Sequence, residues 1–311
     1  MRKTVSILPA VLIVSTFVAA HALGQIRPQG QERLDIKRKW LDVAYAAVSP
    51  AQKMDIYLPD KGEGPFPVIV SIHGGAFRMG DKADGQLTPM LEGLKRGFAV
   101  VSINYRMSGE ALFPASIQDA KAAIRWIRAH AGEYKLAGAK IAVWGGSAGG
   151  YLSAMAGVSG AFTEWDDPGL GNPKESSRVQ AVVDWFGPIN FLKMDEHFRA
   201  SGKGRSDHGD VNSPESRLLG KKLTDIPDLV RAANPESYIT PDAPPFLIQH
   251  GTDDPLVPVE QSIGFADKLA KVIGRDKATL ILLQGAKHGG PQFGAPENLD
   301  TVFAFLNKYL K

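Results

Sequence analysis

The chain of 311 residues contains no cysteine. Disulfides, a thiolate nucleophile and a lipid-modified cysteine are thereby excluded, and the fold must rest on its core. Runs of lysine and arginine interleaved with aromatics are also missing, and the formal net charge is only +3. Neither a nucleic-acid partner nor an anionic membrane surface has electrostatic support. Internal repeats and low-complexity linkers are absent too. The one long apolar stretch, Val5 to Ala20, follows Arg2 and Lys3. It is short of the ~20 residues of a membrane-spanning helix. Ala20-His21-Ala22 and Ala22-Leu23-Gly24 then supply small residues, which makes this a secretory signal cut after Ala22 or Gly24. The expectation is a signal over 1–24, an exported (periplasmic or extracellular) domain over 25–311, and no stable membrane insertion after cleavage. Loss of Arg2 and Lys3 takes the charge from +3 to 3 − 2 = +1.

What remains has the composition and length of one large globular α/β domain. From Gln25 to about Trp40 the chain is a polar, basic lead-in. First strands are expected at Val43–Tyr45 and Lys53–Pro59, where Met54, Ile56 and Leu58 alternate. Val68–Ile72, Phe98–Ile103, Lys140–Trp144, Val179–Phe186, Pro245–His250 and Ala278–Leu283 are nearly all apolar, as strands buried on both faces should be. Helical spacing appears in Pro114–Ala129, Val259–Val272 and Glu297–Tyr309. Strands separated by such helices predict a mainly parallel central sheet with helices on both faces. About 188–244 breaks the alternation and is rich in Gly, Pro and charge. One helix is expected there, near Pro227–Arg231, within an insertion over the sheet's carboxyl edge. Lys193 to Asp210, with Gly202, Gly204 and Gly209, is expected to be a mobile lid.

The chemistry centres on Gly145-Gly146-Ser147-Ala148-Gly149-Gly150, between an apolar run and a helix-compatible one. This G-x-S-x-G turn exposes a serine hydroxyl at a strand end, with glycines relieving the crowding. The serine needs a base, usually a histidine oriented by a carboxylate. His288, in the loop after the last strand, is the candidate. His250 at a strand end reads as buried and hydrogen-bonded, His197 and His208 as solvated, and His130 as near a helix end. For the acid, Asp254 precedes a proline that restricts its backbone; Asp253 reads as a turn-forming or solvated carboxylate, and Asp184 remains an alternative. Oxyanion donors are expected from the amides of Ala148, Gly75 and Ala76, with Gly74 permissive and His73 bracing that loop. Phe77, Trp185 and Phe191 are assigned to substrate binding; the competing reading of each, as of Tyr105, Met194 and Phe198, is core. The chemistry requires no metal or organic cofactor.

His73-Gly74-Gly75-Ala76-Phe77, Asn104-Tyr105-Arg106, Gly145 to Gly150, Asp254-Pro255-Leu256-Val257-Pro258 and His288-Gly289 resemble the α/β-hydrolase esterases. Among these the chain is most similar to the feruloyl-esterase-like (BD-FAE) carboxylesterases, neighbours of the hormone-sensitive lipase family. The likeness runs from about Lys53 to the C-terminus and includes Leu170–Pro173, Val182–Pro188 and Ser213–Ser216. It implies an α/β-hydrolase fold with a cap insertion, and a serine carboxylesterase whose triad is Ser147, Asp254 and His288. It also implies small-molecule or polysaccharide-linked ester substrates, such as acetyl or feruloyl esters of plant polysaccharides. Ala76 departs from the pattern, since many relatives carry a third glycine there. The alternatives are a serine peptidase of prolyl-oligopeptidase type and a non-catalytic binding module on the same fold. Oligomeric state leaves no mark in the sequence.

Overall fold

Strand alternation organises the molecule. In the computed structural model the described residues are Met1 and 35–311, and Ile36–Lys311 form one compact unit. Apart from Met1, the expected signal over 1–24 lies outside the described residues, as does the lead-in as far as residue 34. The strands are β1 (Lys39–Ala44), β2 (Lys53–Tyr57), β3 (Phe66–Ile72), β4 (Ala99–Ile103), β5 (Leu136–Gly146), β6 (Ala181–Trp185), β7 (Phe246–Gly251) and β8 (Ala278–Leu283). They form a sheet in the order β1-β2-β4-β3-β5-β6-β7-β8. The pairs β1–β2 and β2–β4 are antiparallel and the rest parallel, which is the mainly parallel α/β-hydrolase sheet that the sequence predicts.

The helices are α1 (Thr88–Lys95), α2 (Ala115–Ala129), α3 (Ala148–Val158), α4 (Met194–Ser201), α5 (Pro214–Leu219), α6 (Pro227–Ala232), α7 (Glu260–Ile273), α8 (Pro291–Gly294) and α9 (Pro296–Leu310). Alternate residues of each strand face opposite ways, so the core divides in two. Val68, Val70, Ile141 and Val143 pack beneath α2, α3 and α7. Ile69, Val100, Ala142 and Trp144 pack beneath α1 and α9. Every residue of α3 is buried, so this helix is apolar all round rather than amphipathic. None of the helices among the described residues is long and apolar enough to cross a membrane.

The insertion holds more helix than its composition suggests. In α4, Met194 and Phe198 lie one turn apart and are buried, and Gly202 ends the helix in the left-handed region. In α5, the Ser213 side chain accepts the Ser216 N–H at 3.1 Å, Pro214 opens the first turn and Gly220 closes the last. These caps decide the structure despite the density of charge and glycine around them.

Candidate active site

Ser147 stands between the end of β5 and the start of α3, with φ 57° and ψ −125°. A serine rarely adopts that backbone region, so the surroundings must impose it. They do so by close approach. A Cβ on Gly149 would overlap the Ile72 carbonyl oxygen, and one on Gly145 would overlap the Gly149 backbone. The Ser147 N–H donates to the Trp185 carbonyl at 2.9 Å, which fixes the turn to the neighbouring strand.

Two loops meet the serine. His288, after β8, lies with Nε2 at 2.8 Å from Ser147 Oγ and Nδ1 at 2.7 Å from Asp254 Oδ2. A carboxylate only accepts, so the imidazole proton sits on Nδ1 and Nε2 is left to accept from the serine hydroxyl. Asp254, after β7, is held from its other side as well, since Oδ1 accepts the N–H groups of Leu256 and Val257 at 2.8 and 3.0 Å. Burial alone would raise its pKa. Hydrogen bonds from His250 and His288 outweigh that and hold the carboxyl well below the usual range. Phe186, in left-handed backbone at φ 44°, packs its ring 4.7 Å from the His288 ring.

The other acidic candidates lie elsewhere. Asp184 is fully buried, accepts the Gly187 N–H at 3.0 Å through Oδ1, and leaves Oδ2 without a partner. Burial pushes its carboxyl up to about 7. Asp253 is exposed and pairs with Lys203 at 3.1 Å. His250 is buried and hydrogen-bonded, as the sequence suggests, but its partner is unexpected. Its Nδ1 lies 2.6 Å from Ser262 Oγ, while Nε2 lies 3.0 Å from the Val257 carbonyl and 3.2 Å from Asp254 Oδ2. The acid thus sits between two imidazoles.

Opposite the serine, the loop after β3 turns through three consecutive left-handed residues, Gly75 (118°), Ala76 (54°) and Phe77 (61°). A Cβ on Gly75 would overlap the Met79 carbonyl oxygen, so only glycine fits there. Gln86 Oε1 accepts the Gly74 N–H at 2.9 Å. No hydrogen-bond acceptor among the described residues pairs with the N–H groups of Gly75, Ala76 or Ala148. His73 braces the loop. Its ring stacks on Tyr105 at 4.5 Å, Nδ1 donates to the Gly74 carbonyl at 2.8 Å, and the Tyr105 hydroxyl donates to the His73 carbonyl at 3.0 Å.

A cavity of about 350 Å³ opens onto Ser147 and His288, with Ala76, Phe77, Pro188, His208 and Glu215 among its walls. Two of the residues assigned to substrate binding are not there. Trp185 is core: it packs edge-on to Trp144 at 4.9 Å and donates its indole N–H to Gln249 at 2.6 Å. Phe191 is buried behind the wall, against Phe77 and Tyr151. Strand-end aromatics of either fate look alike in sequence. His208 is the reverse case, a residue read as solvated that lines the cavity. It stacks on Phe198 and its Nδ1 faces Glu215 Oε2 at 3.1 Å. Burial would lower its pKa, but the hydrogen bond and charge of Glu215 prevail and raise it. His197 likewise has a partner, the Gln261 side chain at 3.1 Å. The segment expected to be a mobile lid is tied down in this state. Asp195 accepts the N–H groups of His208 and Gly209 at 2.8 and 2.9 Å, and Lys203 donates to the Thr252 carbonyl at 2.7 Å. Among the described residues no group of three His, Cys, Asp or Glu is arranged to hold a metal ion.

Comparison with known proteins gives a consistent set of relatives. The BD-FAE family model matches residues 54–269. The probable carboxylic ester hydrolase LipM of Mycobacterium tuberculosis is 36% identical over 236 residues, covering 74% of this chain and 52% of that protein. Among solved structures, a truncated carbohydrate esterase from gut microbiota superposes with TM-score 0.80 at 32% identity, over 90% of this chain and 99% of that one. A bifunctional GH43-CE protein of Bacteroides eggerthii superposes with TM-score 0.78 at 35% identity, over 88% of this chain and 38% of that one. The chain spans about half the length of the curated relatives it matches.

Proposed function

The chain belongs to the BD-FAE family of α/β-hydrolase esterases, and from that premise we propose that it is a serine carboxylic-ester hydrolase working through an acyl-enzyme. The observation that carries this reading is the hydrogen-bonded run Ser147–His288–Asp254 beside unpaired backbone donors. Ser147 Oγ attacks the ester carbonyl carbon and its proton passes to His288 Nε2. Asp254 steadies the imidazolium through Nδ1–H. The N–H groups of Gly75, Ala76 and Ala148 hold the oxyanion, each worth about 3 kcal/mol of barrier. Collapse breaks the carbon–oxygen bond to the leaving alcohol, which takes the Nε2 proton. Water then attacks the acyl-enzyme and gives its proton to the same nitrogen; collapse breaks the acyl carbon–Oγ bond, releases the carboxylic acid and returns that proton to Ser147 Oγ.

The substrate class follows from the cavity and the company the chain keeps. A polar wall of His208 and Glu215 facing the apolar Phe77 suits a short acyl or aryl ester of a hydroxyl-bearing alcohol. One of the solved neighbours is named a carbohydrate esterase and another a bifunctional GH43-CE protein. We therefore read acetyl or feruloyl esters of plant polysaccharides as the substrates, met outside the cytoplasm after signal cleavage. The test compares the protein with Ser147→Ala on p-nitrophenyl acetate, methyl ferulate, acetylated xylan and a proline p-nitroanilide. Ester turnover that disappears in the variant is expected. Turnover of the anilide alone, or ester turnover that survives the substitution, overturns the reading.

A further inference from the structure

Beside the catalytic cavity lies a second one, of about 380 Å³, lined by Arg78, Ser108, Val211, Ser216, Arg217 and Lys221 among others. We propose that it is a subsite for a carboxylate carried by the ester substrate beyond the scissile bond, as on a uronic acid unit. The inference rests on the ester-hydrolase reading and adds an anionic group to the substrate.

Charge is the first argument. Three cations line one concavity, and no described carboxylate lies within ion-pair distance of any of them. The side-chain partner of Arg217 is neutral, Asn212 Oδ1 at 3.2 Å. Three other cations near the active site are matched, Arg205 with Asp207 at 3.0 Å, Lys203 with Asp253 at 3.1 Å, and Lys82 with Asp42 and Asp55, whereas Lys287 beside His288 is exposed and has no ion pair. The three side chains are exposed, so solvent screens their mutual repulsion, and an entering anion would lower it further. Guanidinium groups bind carboxylates through paired, charge-assisted hydrogen bonds.

Continuity with the chemistry is the second argument. Arg78 directly follows Ala76 and Phe77, which wall the catalytic cavity. Ser216 and Arg217 directly follow Pro214 and Glu215, which wall it from the insertion side. The loop after β3 and helix α5 therefore separate the two hollows. An anion in the second is held by chain segments that also contact the ester.

The test uses acetylated xylo-oligosaccharides with and without a glucuronic acid branch, on the full chain and on the double variant Arg217→Gln, Lys221→Gln. For the unaltered protein kcat/KM should favour the acidic ester by about tenfold, equivalent to ~1.4 kcal/mol. That preference should shrink with added salt and vanish in the variant, while p-nitrophenyl acetate turnover is unchanged. Equal kcat/KM on the two oligosaccharides, or a preference that survives the double substitution, overturns the inference. Binding of sodium glucuronate by titration calorimetry, with glucose as the neutral control, tests the subsite without catalysis. Glucuronate binding that the variant loses supports the subsite even if no ester is hydrolysed. Absence of glucuronate binding overturns it, as does binding of inorganic phosphate alone, which assigns the hollow to a phosphoryl group instead.

Discussion

Replacement of Asp254 by Asn removes one charge and changes no shape, so its effect can be worked from the hydrogen bonds. With the amide oxygen kept on the N–H groups of Leu256 and Val257, the new NH₂ takes the place of Oδ2. It then meets His288 Nδ1, at the 2.7 Å now spanned by a good hydrogen bond. Two donors cannot share that contact, so the imidazole must move its proton to Nε2, where it can no longer accept from Ser147. Flipping the amide restores the acceptor for His288 but sets the NH₂ against two backbone donors, an orientation costing about 2 kcal/mol or more. In the first arrangement the NH₂ also meets His250 Nε2–H, but that donor keeps its bond to the Val257 carbonyl, so this arrangement prevails, and kcat should fall by about 10⁴-fold, the effect of holding such a base in the wrong tautomer. The fold should persist, since every neighbour keeps its position. The assay is kcat on p-nitrophenyl acetate, with near-ultraviolet circular dichroism as the check on folding. Asp253→Asn, at an exposed ion pair, should change kcat little. A folded Asp254→Asn protein retaining a tenth of the activity would refute the reasoning, as would an Asp184→Asn variant that loses more.

Asp184 offers a pH test. Its folded pKa is raised from 3.8 to about 7, so the folded state binds the extra proton and stability falls as pH rises from 4 to 7. Urea unfolding should show this decline, on the order of 4 kcal/mol in total, flattened in Asp184→Asn. The His208–Glu215 contact runs with a raised histidine pKa, so its contribution is full below the ordinary histidine range and lost as pH climbs through the folded value. His208→Ala should lose stability at pH 5 and little at pH 9, again by urea unfolding. Ala76→Gly relieves a left-handed alanine, a gain of about 1 kcal/mol partly offset by unfolded-chain entropy. It also removes a methyl group from the cavity wall, so kcat/KM for p-nitrophenyl octanoate should rise relative to acetate. Gly149→Ala drives a methyl into the Ile72 carbonyl and should cost about 3 kcal/mol in thermal unfolding.

How much of this was legible in the sequence depended on whether a residue's role is set locally or by distant partners. The strands of the sheet announce themselves as apolar runs because parallel strands are buried on both faces. The serine turn is equally local, since Gly145, Ser147 and Gly149 lie within five residues and their crowding is fixed by one strand and one helix. His288 and Asp254 are readable because each lies in the loop that follows a strand of that sheet. Trp185 and Phe191 were misplaced because burial beside a cavity and burial beneath it demand the same apolar side chain. His208 escapes a sequence reading for the opposite reason. Its lining position depends on contacts with residues of two helices, Phe198 of α4 and Glu215 of α5. His250 shows the limit most clearly. Burial can be inferred from a strand end, but a contact with Asp254 Oδ2 requires the turn through Val257 to be known.

Backbone strain in this protein collects where the chemistry is. Among the described residues seven non-glycine positions have positive φ, and four of them, Ala76, Phe77, Ser147 and Phe186, border the cavity or the His288 ring. Each conformation costs about 1–3 kcal/mol in isolation. They persist because the neighbouring contacts leave no relaxed alternative. Gly149 lets α3 press against the end of β3, Gly145 lets the turn close, and the Ser147 N–H is bound by β6. The loop after β3 is locked in the same way by Gln86 on Gly74 and by the Tyr105–His73 stack. In the proposed mechanism, serine, imidazole and amide donors are thus aimed before any substrate arrives and need not reorganise as charge builds on the carbonyl oxygen. It follows that loosening a distant lock should act on kcat more than on KM. Gln86→Ala frees the Gly74 N–H and lets the loop relax, while no atom of Gln86 walls the catalytic cavity. Steady-state kinetics on p-nitrophenyl acetate should show kcat reduced with KM nearly constant, and a change confined to KM would show that the loop binds substrate without having been held for the transition state.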